Sequence, residues 1–185
     1  MTRCFYVRAT AIASGAAAIG FVAVACIGAA PRLIWNASAS APIGLYALRP
    51  AARPPRGVLV AVRPPQPLAA WLAARGYLPE GVPLLKHVMA TAGQRVCRIG
   101  ARISIDGRPI ADAREGDSRG RPLPIWQGCR TLGADELMLM NPAVPDSLDG
   151  RYFGPLPASA VIGRAVPILT RDAPAAPLRW RARGS

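Results

Sequence analysis

The sequence predicts a mainly β body carried on one N-terminal transmembrane helix. Three observations predict it. No charged residue interrupts the chain between Arg8 and Arg32, a length that crosses a bilayer as a helix even when alanine and glycine dilute its hydrophobicity. Downstream, short apolar runs stop at prolines and glycines, the punctuation of strands and turns. Glycine and proline, 18 and 20 of 185 residues, exceed ordinary usage and disfavour a helical bundle. Apolar residues make up 51% of the chain, so a core of ordinary domain size is expected rather than disorder.

Taken in order, Arg3 and Arg8 precede the apolar span and no acid accompanies them. The positive-inside rule therefore keeps the short N-terminal end in the cytoplasm. Everything after Arg32 is delivered across the bacterial inner membrane, into the periplasm of a Gram-negative cell, from a single-pass anchor. Ala23-Val24-Ala25 before Cys26 has the form of a small-residue cleavage site. The later candidate, Gly28-Ala29-Ala30, runs into Pro31, which obstructs cleavage, and an uncleaved anchor is the favoured reading. Residues 38–46 are rich in proline and glycine and read as an extended segment leading into a turn. Residues 57–62, bounded by Pro54-Pro55 and Pro64-Pro65, read as a buried strand. Residues 68–75 read as a short helix, with Pro67 at its start and Gly76 just past its end.

Residues 84–89 form a strand or strand-like stretch. Residues 96–110 read as a hairpin, because Ile103 and Ile105 alternate with polar residues before the turn pair Asp106-Gly107. Residues 111–121 read as an exposed polar excursion, and 136–140 as another strand. Residues 161–169 are the final predicted strand, with Pro167 marking an edge or a bend. The organisation is an anchor over 1–32, a periplasmic body over 33–170 and a basic tail over 171–185.

The net charge of +13 invites a nucleic-acid reading, but the arginines are scattered and lack aromatic interleaving. No specific nucleic acid is expected. Anionic lipid headgroups of the inner membrane, or an acidic partner, fit the charge better. Cys4 and Cys26 precede or lie within the span and read as free thiols. Cys97 and Cys129 fall in the exported part, where a structural disulfide between them is the natural pairing. There is no CxxC and only one histidine, His87, so neither a metal nor another cofactor is expected.

One lysine, Lys86, stands among 23 basic side chains. An arginine-biased coding usage leaves such a survivor by chance. The alternative is a need that arginine cannot meet, because a desolvated lysine amine loses its proton and arginine effectively never does. Lys86 sits in the apolar run Val82-Pro83-Leu84-Leu85-Lys86-His87-Val88-Met89. Upstream lies Ser38-Ala39-Ser40-Ala41-Pro42-Ile43-Gly44-Leu45-Tyr46. A serine hydroxyl needs a base to become a nucleophile, and His87 competes with Lys86 for that role. Neighbours in an extended segment point to opposite faces, so only one of them faces Ser40. A lysine base requires its pKa to fall by about two to three units from about 10.4, at roughly 3–4 kcal/mol. The aliphatic flank of Lys86 suits that task, and histidine would not need it.

These boxes carry a family resemblance. The stretch from Ser40 to Tyr46 resembles the nucleophile box of conjugative-transfer signal peptidases, the TraF branch of the type I signal peptidases. Leu84-Leu85-Lys86-His87-Val88 followed by Gly93 resembles their lysine box. Ser147-Leu148-Asp149-Gly150-Arg151-Tyr152-Phe153-Gly154-Pro155 resembles their S-x-D-S-R-Y-F-G-P box. The resemblance implies a signal-peptidase-like β catalytic body. It implies Ser40 as nucleophile, Lys86 as general base and Asp149 as a supporting acid that organises the site through Arg151. Ser38 takes the place of an oxyanion-hole hydroxyl, and Ser147 that of a serine bonded to the lysine amine. The implied substrate is a pilin or another exported precursor, cleaved after small residues and, for a pilin, joined end to end in some relatives. Other conjugative transfer proteins are implied partners. Two departures stand out: Gln94 follows Gly93 where relatives carry aspartate, and Gly150 replaces the serine of D-S-R.

Three other readings compete. A self-cleaving repressor shares the chemistry but needs a DNA-binding domain where this chain has its apolar span. A non-catalytic membrane component of a conjugation or secretion channel needs neither Ser40 nor Lys86. A general type I signal peptidase is the nearest enzymatic alternative. Against it stand the short chain and a serine-to-proline spacing one residue shorter than the housekeeping pattern.

Overall fold

The computed structural model describes residues 2–26 and 32–181, with the side chains of 5–23 in the first stretch. The candidate Ala23-Val24-Ala25 before Cys26 falls on described helical backbone, whereas Gly28-Ala29-Ala30, the Cys4 and Cys26 thiols and residues 182–185 of the tail lie outside what is described. The chain forms two units, Met1–Pro31 and Arg32–Ser185. In the first, helix α1 (Thr2–Cys26) contains Phe5–Ala23, 19 residues that are long and apolar enough to cross a membrane. At about 1.5 Å per residue this stretch measures roughly 28 Å, close to the hydrocarbon thickness of a bilayer. Thr10 Oγ1 donates to Tyr6 O at 2.9 Å, which satisfies the hydroxyl inside the helix.

The second unit is mainly β. Its strands are β1 (Leu33–Asn36), β2 (Ile43–Arg49), β3 (Leu59–Val62), β4 (Leu84–Ala90), β5 (Arg95–Ile99) and β6 (Arg102–Ile105). They continue with β7 (Arg108–Asp112), β8 (Gly128–Thr131), β9 (Glu136–Met140), β10 (Leu156–Pro157), β11 (Val161–Arg171) and β12 (Arg179–Trp180). Helix α2 (Gln66–Ala74) follows β3, and the single turn α3 (Gly150–Phe153) follows β9. One sheet runs β1-β2-β11-β3-β4-β9-β10 with β12 added to β11, and a second runs β7-β6-β5-β8. Val96, Ile103 and Ile105 of the second sheet cluster with Ala90, Met138 and Met140 of the first, so the two sheets share one core.

Several expectations change in detail. The region 96–110 is not one hairpin but three strands, β5, β6 and β7. Asp106-Gly107 closes β6 on β7 with both residues at positive φ, 50° and 77°, as a two-residue hairpin turn requires. The region 111–121 is less exposed than its polarity predicts. Asp117 accepts from the Tyr77 hydroxyl and from Arg121, and Arg121 donates to Arg75 O, which pins this segment to the end of α2. Strand β11 is neither last nor at an edge: β2 flanks one side, β3 and β12 the other. Pro167 sits at its register shift, so the bend is the correct alternative, since proline there removes no ladder bond that the bulge has not already broken.

Cys97 and Cys129 are directly paired across β5 and β8 and form a disulfide, 2.07 Å between sulfurs, across a sequence separation of 32. Removing that crosslink relaxes the unfolded chain, and a loop of this length corresponds to roughly 3–4 kcal/mol. A Cys97→Ser/Cys129→Ser variant is therefore expected to unfold at markedly lower denaturant concentration, with its m-value raised. An unchanged midpoint would show that the crosslink contributes nothing to stability.

Candidate active site

The nucleophile candidate stands in the tight turn between β1 and β2. The turn precedes the extended segment, the reverse of the order expected from the proline and glycine content. Asn36, the last residue of β1, builds it. Its Nδ2 donates to Ser38 O, Ala41 O and Pro42 O at 2.9–3.0 Å, and its Oδ1 accepts from Ser38 N and Ser38 Oγ at 3.1 Å. The motif residues that follow have separate tasks. Tyr46 is buried and its hydroxyl donates to Pro42 O at 2.6 Å; burial pushes its pKa up to about 12, so it remains a donor. Gly44 has φ 145°, and a Cβ there would lie 2.1 Å from Leu169 O of β11, so only glycine permits that close approach.

Lys86 lies mid-strand in β4, opposite Val60 of β3. Val88 shares its face, and both valines belong to a buried aliphatic cluster with Val62, Leu137 and Leu139. The lysine is 3% exposed, and its amine donates to Ser147 Oγ at 2.7 Å. Burial lowers the Lys86 pKa from 10.5 to about 8; Asp149 opposes this shift and Arg151 adds to it. His87 points elsewhere: its Nδ1 meets Asn141 Oδ1 at 2.9 Å.

The loop from Asn141 to Arg151 is held from inside by an arginine. Arg151 is 1% exposed and Asp149 2%. Asp149 Oδ1 accepts from Arg151 Nε and Oδ2 from Arg151 Nη2, both at 2.9 Å. The same guanidinium donates to Val144 O at 2.7 Å and to Ser147 O at 3.1 Å. A buried cation paired with one carboxylate and satisfied by carbonyls is the arrangement such burial requires. It sets the position of Ser147 and, through it, the Lys86 amine. Asp149 thus acts on Arg151 and on the backbone, accepting also from Asn141 N at 2.9 Å.

The structure accordingly gathers Ser147, Asp149 and Arg151 around Lys86, and Ser38 against Ser40, with 3.1 Å between the two hydroxyl oxygens. Among the described residues no hydrogen bond joins Ser40 Oγ to the Lys86 amine. Catalytic hydrogen bonds are often long in enzymes without substrate. Cys97 and Cys129 lie on the second sheet's β5 and β8, apart from this chemistry. A groove of about 490 Å³ borders Ser38 and Ser40, lined also by residues of β1 and by Tyr77, Pro79 and Leu84.

Both sequence departures are accommodated. Gln94 accepts from Thr91 N and donates to Asp106 Oδ2 at 2.7 Å, a bond that an ionised aspartate cannot donate. At Gly150 a Cβ would stand 2.8 Å from Met138 Sδ, so methionine occupies the space a serine would take. Two functional candidates escaped the sequence reading, Asn36 and Asn141. Each follows or ends an apolar strand just before a turn, where asparagine is ordinary; a position abutting the Ser40 and Ser147 boxes was the one available signal.

The Signal peptidase, peptidase S26, family matches residues 4–170. Among individual proteins, the chain is 37% identical over 164 residues to a probable conjugal transfer protein TraF of Sinorhizobium fredii, covering 83% of this chain and 84% of that one. It is 38% identical over 149 residues to the conjugal transfer protein TraF of Agrobacterium fabrum, covering 74% and 82%. It is 34% identical over 145 residues to a plasmid transfer protein TraF of Escherichia coli, covering 73% and 81%. A solved signal peptidase I from Enterococcus faecalis aligns with 60% of this chain and 96% of its own at 17% identity and a TM-score of 0.37, too distant a likeness to carry an argument. The sequence matches span the nucleophile turn, the lysine strand and the loop that holds Ser147, and on their extent this chain belongs to the S26 signal peptidase family, among relatives named for conjugal transfer.

Proposed function

We propose that this protein is a membrane-anchored serine endopeptidase that cleaves exported precursors after small residues, with Ser40 as nucleophile and Lys86 as general base. The observation that carries the reading is a lone lysine, 3% exposed and bonded to Ser147 Oγ at 2.7 Å, in a protein whose other basic side chains apart from His87 are arginine. Neutral Lys86 takes the Ser40 proton as Ser40 Oγ attacks the scissile carbonyl carbon. The oxyanion accepts from Ser40 N–H and from the Ser38 hydroxyl, which turns away from Asn36 to do so. The lysine ammonium passes its proton to the leaving amine, leaving an ester on Ser40. Water then releases the product acid and restores the serine; an amine from the same substrate would instead close a ring. Asp149 and Arg151 support the loop that carries Ser147.

The groove beside Ser40 follows the edge of β1, the outermost strand of its sheet, and an extended substrate fits such an edge as an added strand. The names of the relatives support other conjugative transfer proteins as partners, and within that setting we infer a pilin subunit as substrate. For placement we infer an anchor over 1–32, a single pass through the inner membrane, a periplasmic catalytic body over 33–170 and a basic tail over 171–185; the disulfide supports an oxidising compartment. Lipid contact has its own support. Trp35, Leu45, Leu169 and Trp180 stand in one row across β1, β2, β11 and β12, with Trp35 56% and Trp180 75% exposed, and indoles favour the headgroup region.

The test is co-expression of the full chain with a candidate pilin precursor in membranes, read by product mass. Wild type is expected to convert the precursor, and Ser40→Ala to leave it intact at equal protein level. A product lighter than the cleaved chain by one water indicates ring closure. Processing by Ser40→Ala at the wild-type rate would sink the serine mechanism.

A further inference from the structure

We propose that Asn141 is the positioning residue that fixes Ser40 against Lys86, an assignment that rests on the Ser/Lys reading above. Asn141 is buried directly after β9, and its side-chain amide is fully used. Nδ2 donates to Ser40 O at 2.6 Å and to Leu85 O at 2.9 Å. Oδ1 accepts from His87 N at 3.2 Å and meets His87 Nδ1 at 2.9 Å. Two donated and two accepted bonds exhaust a primary amide. The amide has one possible orientation, because its flip would set NH₂ against the His87 N–H and oxygen against two carbonyls. It follows that His87 donates from Nδ1, and that protonating the ring leaves this bond intact.

Leu85 O and His87 N are the backbone groups on either side of Lys86. One amide therefore grips the base's strand before and after the lysine, and the nucleophile's own carbonyl as well. The sheet supplies no such link, because β11 and β3 stand between β2 and β4. Among the described residues no other side chain hydrogen-bonds to both segments. Asn141 N donates to Asp149 Oδ2, and Arg151 Nη2 donates to Asn141 O at 3.4 Å, so the clamp is mounted on the buried ion pair.

The charged groups bearing on Lys86 are Asp149 and Arg151. Strand β3 and the 38–42 turn contribute no ionisable side chain, Glu136 lies at the far end of β9 against Arg130, and His87 faces Asn141. Asn141→Asp would add a carboxylate beside this set and replace both donated bonds with repulsion toward Ser40 O and Leu85 O. Asn141→Ala would remove the clamp without charge.

The full chain in detergent micelles is assayed on a fluorogenic peptide with Ala-Xaa-Ala before the scissile bond, the small-residue pattern of secretory cleavage sites. Both variants are expected to lose about 100-fold in kcat, on the scale of a misplaced catalytic group, with a much smaller change in KM because Asn141 itself does not line the groove. Because Lys86 is the single lysine, ¹⁵N-lysine labelling gives one side-chain amine signal. Its titration midpoint is expected to rise by about one pH unit in Asn141→Asp, as a nearby opposite charge dictates; the readout that a merely structural role would not move is the kcat of a variant whose unfolding midpoint is unchanged. A folded variant with wild-type kcat and an unmoved titration midpoint overturns the proposal. So does rapid solvent exchange of the Asn141 side-chain amide protons in the wild type, a measurement that needs no variant to fold. Activity surviving in Ser40→Ala would bring down the dyad itself, whereas loss there beside fully active Asn141 variants brings down the clamp alone.

Discussion

Lys86→Arg is expected to lower kcat by about 10³-fold, within the range set by loss of a general base, and no rise in pH is expected to restore it. Arginine keeps the positive charge but cannot release a proton near neutrality. The variant therefore separates proton transfer from simple charge. If the amine served only to neutralise Asp149, the arginine protein would keep most of its rate. In the wild type the Lys86 pKa of about 8 leaves about a tenth of the protein with a neutral amine at pH 7. The wild-type kcat/KM should rise about tenfold per pH unit below that value and level off above it, whereas the arginine profile should lack this rise. Retained cleavage in Lys86→Arg would return His87 to consideration, although its Nδ1 is already engaged with Asn141.

Lys86→Met is expected to make the inactive protein more stable than the wild type. The amine has a pKa of about 8 when folded, against 10.5 as the ordinary value. Between those values the unfolded chain binds the proton and the folded one does not, so stability increases with pH across that window. Below about pH 8 the whole cost of burying the ammonium is present, about 3 kcal/mol at 1.36 per pKa unit; above about 10.5 it is gone. Methionine fills similar space without that cost, and leaves Ser147 Oγ short of a partner, a loss of about 1 kcal/mol. The net gain near pH 7 is about 2 kcal/mol, read as a higher denaturation midpoint, and it should turn into a small loss near pH 10.5. A variant less stable than wild type at pH 7 would show that the lysine is not held at a cost. Activity gained against stability is the trade expected where a site needs a group the core would reject.

The contrast between Lys86 and Asn141 shows what a sequence makes legible. Lys86 was visible because its chemistry conflicts with its apolar neighbours, and a conflict of that kind marks a site. The strands read at 57–62, 84–89 and 136–140 were legible for the opposite reason, as apolar runs between breakers, and the structure places them at 59–62, 84–90 and 136–140. Strand β8, Gly128–Thr131, is exposed at every residue and carries no apolar pattern; its existence depends on β5, the neighbour it pairs with. Strand β12 is similar, two residues placed by β11. Asn141 belongs to the same class. Its four partners lie on segments up to 101 residues away in sequence, so no local window contains the reason for it. The two sequence departures were visible, but their compensation by Asp106 and Met138 was a matter of tertiary contact.

The position of β11 sets a condition on when the protein can work. Strand β2 carries the Ser40 turn and β3 leads to the Lys86 strand, yet the two are not neighbours; residues 161–171 lie between them. A ribosome releasing this chain has made both residues of the proposed dyad long before it makes the strand that seats them in one sheet. Pairings of such long separation also form slowly. A chain broken off before Val161 would hold Ser40 and Lys86 together through Asn141 alone, with no shared sheet to support that link. On the proposed mechanism, full proteolytic competence therefore waits for residues 161–171 to join the sheet.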